Sequence, residues 1–217
     1  MNDKKITLYY FPLNGRAAVI RAILTYLNIE FEDRNVDKED WPELKKTTNF
    51  EFGQMPALEI DGKYFCQTFA IEVYLARKYN LLGSNDEEEY QVLSLVNSRD
   101  DYSFKIRPIL MPQNDEEKKE SGKYLNEFID FSKGYFKILE NRLAASGGKY
   151  MVGNKFSLAD IFVTIYLYLI FKQQCRKENL EKILKDNSPV INDYINSIAI
   201  NELKTYFEKV FIHDALI

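Results

Sequence analysis

The sequence predicts a fold in two parts, α/β followed by all-α, and three observations support this. Over residues 1–80, short apolar runs alternate with apolar residues at helical spacing. From Glu87 onward almost only helical patterns follow, and the turn-forming residues 82–85 come just before them. With 217 residues, 46% of them hydrophobic, the chain is long and apolar enough for two cores. We therefore expect one domain over 1–81 and a second over 87–217.

The first part is expected to run in the order β-α-β-α-β-β-α. The apolar, aromatic run 6–11 predicts a strand, because Pro12 and the turn formers Asn14-Gly15 end it. Asp61-Gly62 favours a two-residue hairpin between its flanking strands. The predicted strands are 6–11, 31–36 at an edge, 57–60 and 63–66, and helical spacing covers 16–27 and 68–79.

The second part is expected to contain helices over about 87–111, 115–145, 157–173, 178–185 and 189–199. Its sharpest local pattern begins at Ser157, a residue that suits a helix N-cap. Asp160 follows where a carboxylate reaches back to the N–H of the cap, and Phe156 and Ile161 are spaced for a hydrophobic staple. Losing such a cap typically costs about 1 kcal/mol.

Charge and hydropathy argue against several classes of function. The net charge is -4 and no stretch concentrates Lys and Arg, so we expect no nucleic-acid partner. The longest apolar run, 161–171, is too short to cross a membrane, and residues 1–5 show no signal-peptide core. We therefore expect a soluble, cytoplasmic protein without a membrane partner.

The few cysteine and histidine residues limit which kinds of catalytic or metal site the chain can form. Cys66 and Cys175 form no CxxC pair and are expected to be buried, reduced thiols. His213 is the only histidine, so a metal site with several histidines is excluded, and a Ser-His-Asp triad would have to use the tail. We therefore expect no metal, and chemistry that depends on Tyr, Arg, Lys, Asp, Glu or a bound cofactor.

Five segments, in order and at family spacing, resemble motifs of the cytosolic glutathione transferases. They are Tyr10-Phe11 with 14–17, then 40–45, 53–58, 67–71 and 153–160. The motifs are similar to those of the sigma-like class, which includes the glutathione-dependent prostaglandin D synthases. The resemblance implies a detoxifying enzyme with glutathione as co-substrate, a thioredoxin-like N-terminal domain with a mixed four-stranded sheet, an all-helical C-terminal domain that contributes the electrophile site, and a homodimer.

The resemblance implies that Tyr10 is the catalytic residue. Strand alternation turns Tyr9 and Tyr10 to opposite faces, and the turn beside Tyr10 favours that residue. A hydrogen bond from its hydroxyl to the glutathione sulfur would favour the thiolate of a group whose ordinary pKa is about 8.5. Arg16 would add a positive charge near the sulfur. The alternatives are a partly buried aromatic residue and a solvated arginine.

The resemblance also implies a set of glutathione-binding residues. Trp41 and Lys45 share a helix face and would bind the glycyl carboxylate, unless Trp41 only packs and Lys45 is solvated. Thr68 would bind the γ-glutamyl carboxylate at a helix N-terminus, or serve as an N-cap. Asp101 would reach the α-amino group across a dimer interface, or be solvated. The full set is Phe11, Arg16, Trp41, Lys45, Gln54, Met55, Pro56, Gln67, Thr68 and Asp101, with a cis bond predicted at Met55-Pro56.

Small apolar electrophiles are the second substrate that the resemblance implies. Their pocket is expected to be lined by Phe11, Leu13, Tyr102, Ser103, Ile106, Arg107 and Phe162. The chain departs from the family pattern at three places. Thr68 replaces the usual serine, residues 46–52 form a slightly longer stretch, and Pro108 replaces an aromatic residue typical of prostaglandin D synthases.

We expect a transferase that conjugates glutathione to apolar electrophiles. One alternative is a glutathione-dependent prostaglandin isomerase, against which Pro108 argues. Another is a non-catalytic member of the family, either structural like the S-crystallins or a carrier of apolar ligands. The intact set of Tyr10, Arg16 and Gln67-Thr68 argues against lost catalysis.

Overall fold

The computed structural model of the chain describes residues 5–47, 49–172 and 180–211. Two residues considered above, Cys175 and His213, lie outside the described residues. Cys66 is a free thiol and is half-buried. Within the described ranges, no helix has the length and apolar character needed to cross a membrane.

Four strands form one mixed sheet: β1 (Ile6–Tyr10), β2 (Glu32–Asn35), β3 (Ala57–Ile60) and β4 (Lys63–Cys66). Their order is β2-β1-β3-β4, with β2 parallel to β1 and the other two pairs antiparallel. The exposed, polar β2 lies at an edge, as predicted. Asp61 and Gly62 have φ angles of 51° and 81°, the left-handed values that a tight hairpin requires. All four predicted strands are confirmed.

Helices cover both faces of the central strand β1, all five residues of which are buried. A 3-10 turn (Gly15–Ala17) leads into α1 (Ala18–Tyr26), while α2 (Trp41–Leu44) follows β2 and α3 (Thr68–Lys78) follows β4. On one face Leu8 packs in the main core with residues of α1 and α3. On the other, Tyr9 packs with Val36 and Phe50. The predicted order of elements is confirmed.

The rest of the described chain is helical, but its boundaries differ from the prediction. The helices are α4 (Asp86–Asn97), α5 (Arg99–Leu110), α6 (Asp115–Lys119), α7 (Ser121–Ala145), α8 (Leu158–Leu167), α9 (Leu180–Asn187), α10 (Pro189–Ile200) and α11 (Lys204–Lys209). A π-helical turn, Tyr168–Lys172, extends α8. The predicted helix 87–111 is divided at Ser98, whose hydroxyl bonds to the Leu95 carbonyl and competes with the helical pattern. The predicted helix 115–145 is divided at Glu120, and α11 was not predicted.

The two parts share one hydrophobic core. The rings of Tyr26, at the end of α1, and Phe156, before α8, lie 4.6 Å apart. The backbone N–H of Leu158 donates to the Leu81 carbonyl at 2.9 Å. α1 packs on α8, and Glu72 of α3 forms an ion pair with Arg99 of α5, so the two parts contact each other at more than one place.

The predicted cap at Ser157 is confirmed as a capping box. The carboxylate of Asp160 is fully buried and accepts from the Ser157 backbone N–H at 2.7 Å. It also accepts from the N–H of Met151 at 2.6 Å and from the hydroxyl of Tyr194 at 2.5 Å. Asp160 therefore does more than cap α8. Its carboxylate also connects the start of α8 to the segment at Met151 and to Tyr194 of α10.

Candidate active site at the sheet edge and the domain cleft

The register of the sheet brings three predicted site segments to one edge. Tyr9 lies opposite Ala57, and Ala57 lies opposite Cys66. The end of β1, the start of β3 and the end of β4 therefore meet. Tyr10 follows Tyr9, Pro56 precedes Ala57, and Gln67 follows Cys66. These three residues therefore lie at the same edge of the sheet.

Tyr10 ends β1, and its hydroxyl points at the turn that follows. The hydroxyl accepts a hydrogen bond from the backbone N–H of Arg16 at 3.1 Å. Accepting this bond leaves the hydroxyl's own hydrogen available to donate. The side chain of Arg16 is exposed beside it. The geometry therefore presents a donor hydroxyl next to a cation that has no ion-pair partner among the described residues.

Buried Arg21 holds the turn under Tyr10. Its guanidinium is fully buried and donates to the Leu13 carbonyl at 2.7 Å and to the Asp33 carboxylate at 2.8 Å. The guanidinium carbon lies 5.8 Å from the centre of the Tyr10 ring. A cation over a ring face is attractive, so Arg21 stabilises both the turn and the ring position.

Gly15 lies very close to Tyr10 and Leu13 in this turn. Its φ is +40°, and a Cβ at this position would lie 2.7 Å from the Tyr10 hydroxyl oxygen and 2.7 Å from Leu13 Cδ1. Both distances are shorter than any normal contact. Only glycine therefore fits between Tyr10 and Leu13 without displacing one of them.

Tyr9 has a different environment. Its hydroxyl donates to the Glu59 carboxylate at 2.7 Å and lies 3.3 Å from the Tyr64 hydroxyl. Burial, followed by these two neighbours, raises the pKa of Tyr9 above its ordinary value. Its ring packs edge-on against Phe50 at 5.7 Å. The Tyr9 hydroxyl is thus committed to a carboxylate on the opposite face of the sheet from Tyr10.

The segments around Pro56 and Thr68 adopt special backbone geometry. The Met55-Pro56 bond is cis, as predicted. Gln67 has φ 71° and ψ 115°, a left-handed conformation that costs a non-glycine residue about 1–3 kcal/mol and is concentrated at functional sites. Its side-chain amide donates to the Gln54 side chain at 3.3 Å. Gln67, not Thr68, is the N-cap of α3, so the N-cap alternative for Thr68 is wrong.

Trp41 and Lys45 lie on one face of α2 and its C-cap, as their spacing predicts. The Lys45 N–H donates to the Trp41 carbonyl at 3.0 Å, and the Lys45 side chain is exposed. The half-buried Trp41 ring lies edge-on to Phe50 at 5.2 Å and to Phe11 at 6.3 Å. Trp41 therefore has a packing role, whether or not it also contacts a ligand.

A cavity of about 660 Å³ opens beside Tyr10, between the two parts of the chain. Its walls come from the β1–α1 turn, from α5, and from α8 with its π-helical turn. Seven of its lining residues are site residues that the sequence analysis predicted. The lining residues are Tyr10, Phe11, Leu13, Gly15, Arg16, Val19, Lys38, Arg99, Asp100, Ser103, Phe104, Ile106, Arg107, Leu110, Met111, Tyr166, Leu169 and Ile170.

Two predicted pocket residues, Tyr102 and Phe162, do not line this cavity. Tyr102 is fully buried, and its ring packs edge-on against Tyr135 at 4.7 Å. Phe162 stacks behind Tyr166 at 5.1 Å. The reason is helix phase: Ser103 faces the cavity, so Tyr102, about 100° away around α5, faces the core.

The same helix phase explains the residues that sequence reasoning missed. Asp100 lines the cavity, whereas Asp101 is exposed and does not. Arg99 precedes Ser103 by one turn, and Tyr166 follows Phe162 by one turn, so helical spacing from the named residues could have found both. Lys38 lies in the loop after β2, where no periodic signal exists.

Four polar contacts involve residues of the cavity wall. The Ser103 and Tyr166 hydroxyls lie 2.5 Å apart, and Tyr166 donates to the Arg99 carbonyl at 3.1 Å. The Arg99 guanidinium pairs with buried Glu72 of α3 at 2.6 Å. Arg107 pairs with Glu117 at 3.0 Å, and the lowered pKa of Glu117 is due first to the backbone N–H of Gln113 and then to Arg107.

Comparison with known proteins places the chain among relatives of similar length. The sequence profile of the glutathione S-transferase N-terminal domain matches residues 4–77, and that of the C-terminal domain matches 100–210. Probable glutathione S-transferase 7 of Caenorhabditis elegans is 35% identical over 71% of this chain and 74% of the relative. Glutathione S-transferase 1 of Ascaris suum is 36% identical over 72% and 76%. Human hematopoietic prostaglandin D synthase is 31% identical over 79% and 82%.

Solved structures of glutathione S-transferases are also similar to this chain. The monomeric Na-GST-3 of Necator americanus superimposes with a TM-score of 0.82 at 29% identity, covering 95% of this chain and 97% of its own. A Nu-class glutathione S-transferase of Haemonchus contortus has a TM-score of 0.76 at 28% identity, with 98% of both chains covered. The expected thioredoxin-like domain with a helical C-terminal domain is therefore confirmed. Both domain profiles, in order on one such fold, show that this chain is an enzyme of the glutathione S-transferase family.

Proposed function

We propose that the Tyr10 hydroxyl donates a hydrogen bond to the sulfur of glutathione, and that the resulting thiolate attacks small apolar electrophiles in the adjoining cavity. One observation carries this proposal. The Tyr10 hydroxyl accepts from the Arg16 N–H, Tyr10 lines the cavity, and the hydroxyl has no other hydrogen-bond partner among the described residues. The hydroxyl hydrogen is thus free for a ligand at the point where the two domains meet.

The chemistry follows from the ordinary pKa of a thiol. At about 8.5, only a few per cent of glutathione is thiolate at neutral pH. A hydrogen bond to the charged sulfur favours that form, and the exposed Arg16 guanidinium at the same cavity adds a positive charge. In the conjugation step the sulfur–carbon bond forms, the leaving group departs with the electron pair of its bond, and the thiol proton goes to solvent.

We propose that the rest of the N-terminal domain, over 1–81, holds the tripeptide. The shared sheet edge supports this assignment, because the cis bond at Pro56, the Gln67 cap and the Gln54 side chain all lie there. The domain over 87–217 supplies most of the cavity wall. The proposed glutathione ligands are Phe11, Arg16, Trp41, Lys45, Gln54, Met55, Pro56, Gln67, Thr68 and Asp101.

We also propose that the protein forms a homodimer. Asp101 is exposed on α5, directly beside the cavity residue Asp100, so it is available to a second subunit. One structural relative is monomeric. Sedimentation of the purified protein tests this part, and a monomer at all concentrations would remove the cross-subunit role of Asp101. We also propose a cytoplasmic, sigma-like, detoxifying enzyme.

Replacing Tyr10 with Phe tests the proposed function. A hydrogen bond to a charged group contributes about 1.5–3 kcal/mol, so we expect kcat/KM for glutathione conjugation to fall about 10- to 100-fold. Binding to immobilised glutathione should persist, because the other ligands remain. The control is Tyr9→Phe, which removes the neighbouring hydroxyl on the other face and should leave kcat/KM within about 2-fold. Full activity in Tyr10→Phe would refute the role of Tyr10.

Gly15→Ala is expected to reduce activity by moving the Tyr10 hydroxyl. The new methyl group would overlap that hydroxyl, so kcat/KM should fall about 10-fold and stability by about 1–2 kcal/mol. Steady-state kinetics and urea unfolding measure the two effects. Gly134→Ala is the matched control, because nothing lies within 4 Å of its Cβ position in α7. It should be slightly more stable and fully active, and equal behaviour of the two variants would contradict the prediction.

The second candidate function is prostaglandin isomerisation. It is favoured by the 31% identity to human hematopoietic prostaglandin D synthase. Pro108, which replaces an aromatic residue typical of prostaglandin D synthases, lies inside α5 and does not line the cavity, so its side chain does not shape the pocket. Assays with prostaglandin H2 beside a panel of electrophiles separate the two functions. Glutathione binding without turnover of any of them would favour the non-catalytic alternative.

A further inference from the structure

One nitrogen of the buried Arg21 side chain has no acceptor among the described residues. Its Nε donates to Asp33 at 2.8 Å, and its Nη1 donates to the carbonyls of Leu13 and Asn14 at 2.7 and 3.4 Å. Its Nη2 is buried without a hydrogen-bond partner. A guanidinium stays charged inside a protein, so an unsatisfied N–H on it is costly. Arg21 therefore needs one further acceptor.

The hydroxyl of Tyr206, on α11, is a matching polar group. Tyr206 is 1% exposed, and its hydroxyl also has no partner among the described residues. α11 packs on α1, the helix that carries Arg21. Burial raises the pKa of Tyr206, the charge of Arg21 opposes that rise, and the carboxylate of Asp33 adds to it. The neutral hydroxyl therefore lies within electrostatic range of the Arg21–Asp33 pair.

A single water molecule would satisfy both groups. Two buried polar groups that face one region without bonding each other are the usual partners of a buried water. Such a water would accept a hydrogen bond from Arg21 Nη2 and share another with the Tyr206 hydroxyl. Together with Asp33 and the two turn carbonyls, this link would hold the guanidinium on all three of its nitrogens.

Arg21 connects this link to the proposed catalytic tyrosine. Its guanidinium carbon lies 5.8 Å from the centre of the Tyr10 ring. The two carbonyls that it holds come directly before Gly15 and Arg16, and the Arg16 N–H donates to the Tyr10 hydroxyl at 3.1 Å. A shift of the guanidinium therefore moves both the ring of Tyr10 and the N–H that orients its hydroxyl.

We infer that Tyr206 is a positioning residue for Tyr10, and that it acts through Arg21 across one bridging water. This inference rests on the proposed function, because it requires Tyr10 to hold the glutathione sulfur. Tyr206 belongs to the last helix that the structure describes, whereas Tyr10 ends the first strand. The helical part of the chain thus sets the geometry of the thiol-activating group as well as the wall of the cavity.

Tyr206→Phe tests the inference, because it removes only the hydroxyl. The ring keeps its packing against Phe207 and Phe211 at 5.3 and 5.9 Å, so the variant should fold. The readout is the pKa of the thiol of bound glutathione, followed by the ultraviolet absorbance of the thiolate over a pH series. We expect that pKa to rise by about 0.5 of a unit, and kcat/KM below it to fall about 3-fold. Affinity for glutathione should stay within about 2-fold.

Tyr102→Phe is the matched control. Tyr102 is 0% exposed, and its ring packs against Phe128 and Tyr135 of the helical part. Its replacement removes an equally buried hydroxyl away from Arg21, so the thiol pKa should not change. A residue that only stabilises the fold would not shift that pKa either. An unchanged thiol pKa in Tyr206→Phe, or an equal shift in Tyr102→Phe, would overturn the inference.

Arg21→Lys tests whether the effect passes through the guanidinium. Lysine keeps the charge but has no Nη2, so Tyr206 loses the group that it helps to hold. Adding Tyr206→Phe to Arg21→Lys should then raise the thiol pKa no further. The same additional shift in both backgrounds would show that Tyr206 does not act through Arg21.

The proposed function is tested separately by Tyr10→Phe in the same titration. That variant should raise the thiol pKa more than Tyr206→Phe does, because it removes the hydrogen bond itself. If only Tyr10→Phe raises it, the thiolate mechanism stands and the positioning role of Tyr206 is refuted. If Tyr10→Phe leaves it unchanged, the proposed function fails and the role of Tyr206 fails with it.

Discussion

Asp160→Ala is expected to lower the free energy of unfolding by about 3–5 kcal/mol, several times the cost of losing an ordinary helix cap. The Asp160 carboxylate is fully buried and accepts hydrogen bonds from three different segments. Alanine would leave the N–H groups of Met151 and Ser157 and the hydroxyl of Tyr194 without their acceptor. Each unsatisfied buried donor costs about 1–3 kcal/mol.

Urea unfolding of Asp160→Ala and of Asn114→Ala measures this difference. Asn114 caps α6 by accepting from the Glu117 N–H at 2.8 Å, and it is exposed. Its loss should cost only about 1 kcal/mol. Asp160→Asn keeps the shape and one acceptor oxygen, so it should fall between the two. If Asp160→Ala cost no more than Asn114→Ala, the carboxylate would be an ordinary cap and the three-segment junction would have no energetic role.

Arg99→Leu is expected to cost about 3–5 kcal/mol at neutral pH, because it leaves a buried carboxylate without its partner. The Glu72 side chain is 0% exposed, and one Arg99 nitrogen lies 2.6 and 2.8 Å from its two oxygens. Glu72 belongs to α3 and Arg99 to α5, so the pair joins the two domains. The double variant Arg99→Leu with Glu72→Leu removes both charges and should recover most of the loss.

The pH dependence distinguishes an unpaired charge from simple loss of packing. Burial raises the pKa of Glu72, and the charge of Arg99 opposes that rise. Without Arg99 the rise is larger. A carboxyl whose pKa is higher in the folded than in the unfolded state destabilises the fold when ionised, and that cost disappears as the pH falls through the folded-state value.

The stability gap between Arg99→Leu and the wild type should therefore be largest at neutral pH and shrink as the pH falls through the folded-state pKa of Glu72 in the variant. Urea unfolding at a series of pH values measures the gap, in which the titration of other groups cancels. The double variant has no Glu72 to protonate, so its gap should not shrink as the pH falls; because the pKa of Glu72 is also raised in the wild type, the gap should widen instead. A gap for Arg99→Leu that is the same at every pH would show that the packing of the arginine, not the charge of Glu72, is responsible.

Local patterns predicted the fold well because they depend on neighbours in the chain. Strand alternation, the Asp61-Gly62 turn and the Ser157-Asp160 box each concern a few consecutive residues, and each is confirmed. Alternation also placed Tyr9 and Tyr10 on opposite faces of the sheet. Helix ends were less predictable, since the division at Ser98 depends partly on a hydroxyl contact with Tyr135 of α7.

The cavity wall was predicted only in part, because it is assembled from distant segments. Ser103 and Arg107 were found, but their neighbour Tyr102 faces the core and Asp100, not Asp101, faces the cavity. A small error in helix phase is enough to exchange inward and outward residues. Tyr166, one helical turn after Phe162, contacts Ser103 of another helix, and the sequence pattern does not report that contact.

By itself the sequence determined the order of strands and helices from β1 to α3, the capped start of α8 and the candidate tyrosine at the end of β1. The tertiary structure alone decided which groups surround that tyrosine: the Arg16 N–H on its oxygen, the Arg21 guanidinium over its ring and the Ser103 and Tyr166 hydroxyls of the cavity. The physical reason is that periodicity reports which face of an element is apolar. It does not report which side chains of other elements that face will meet.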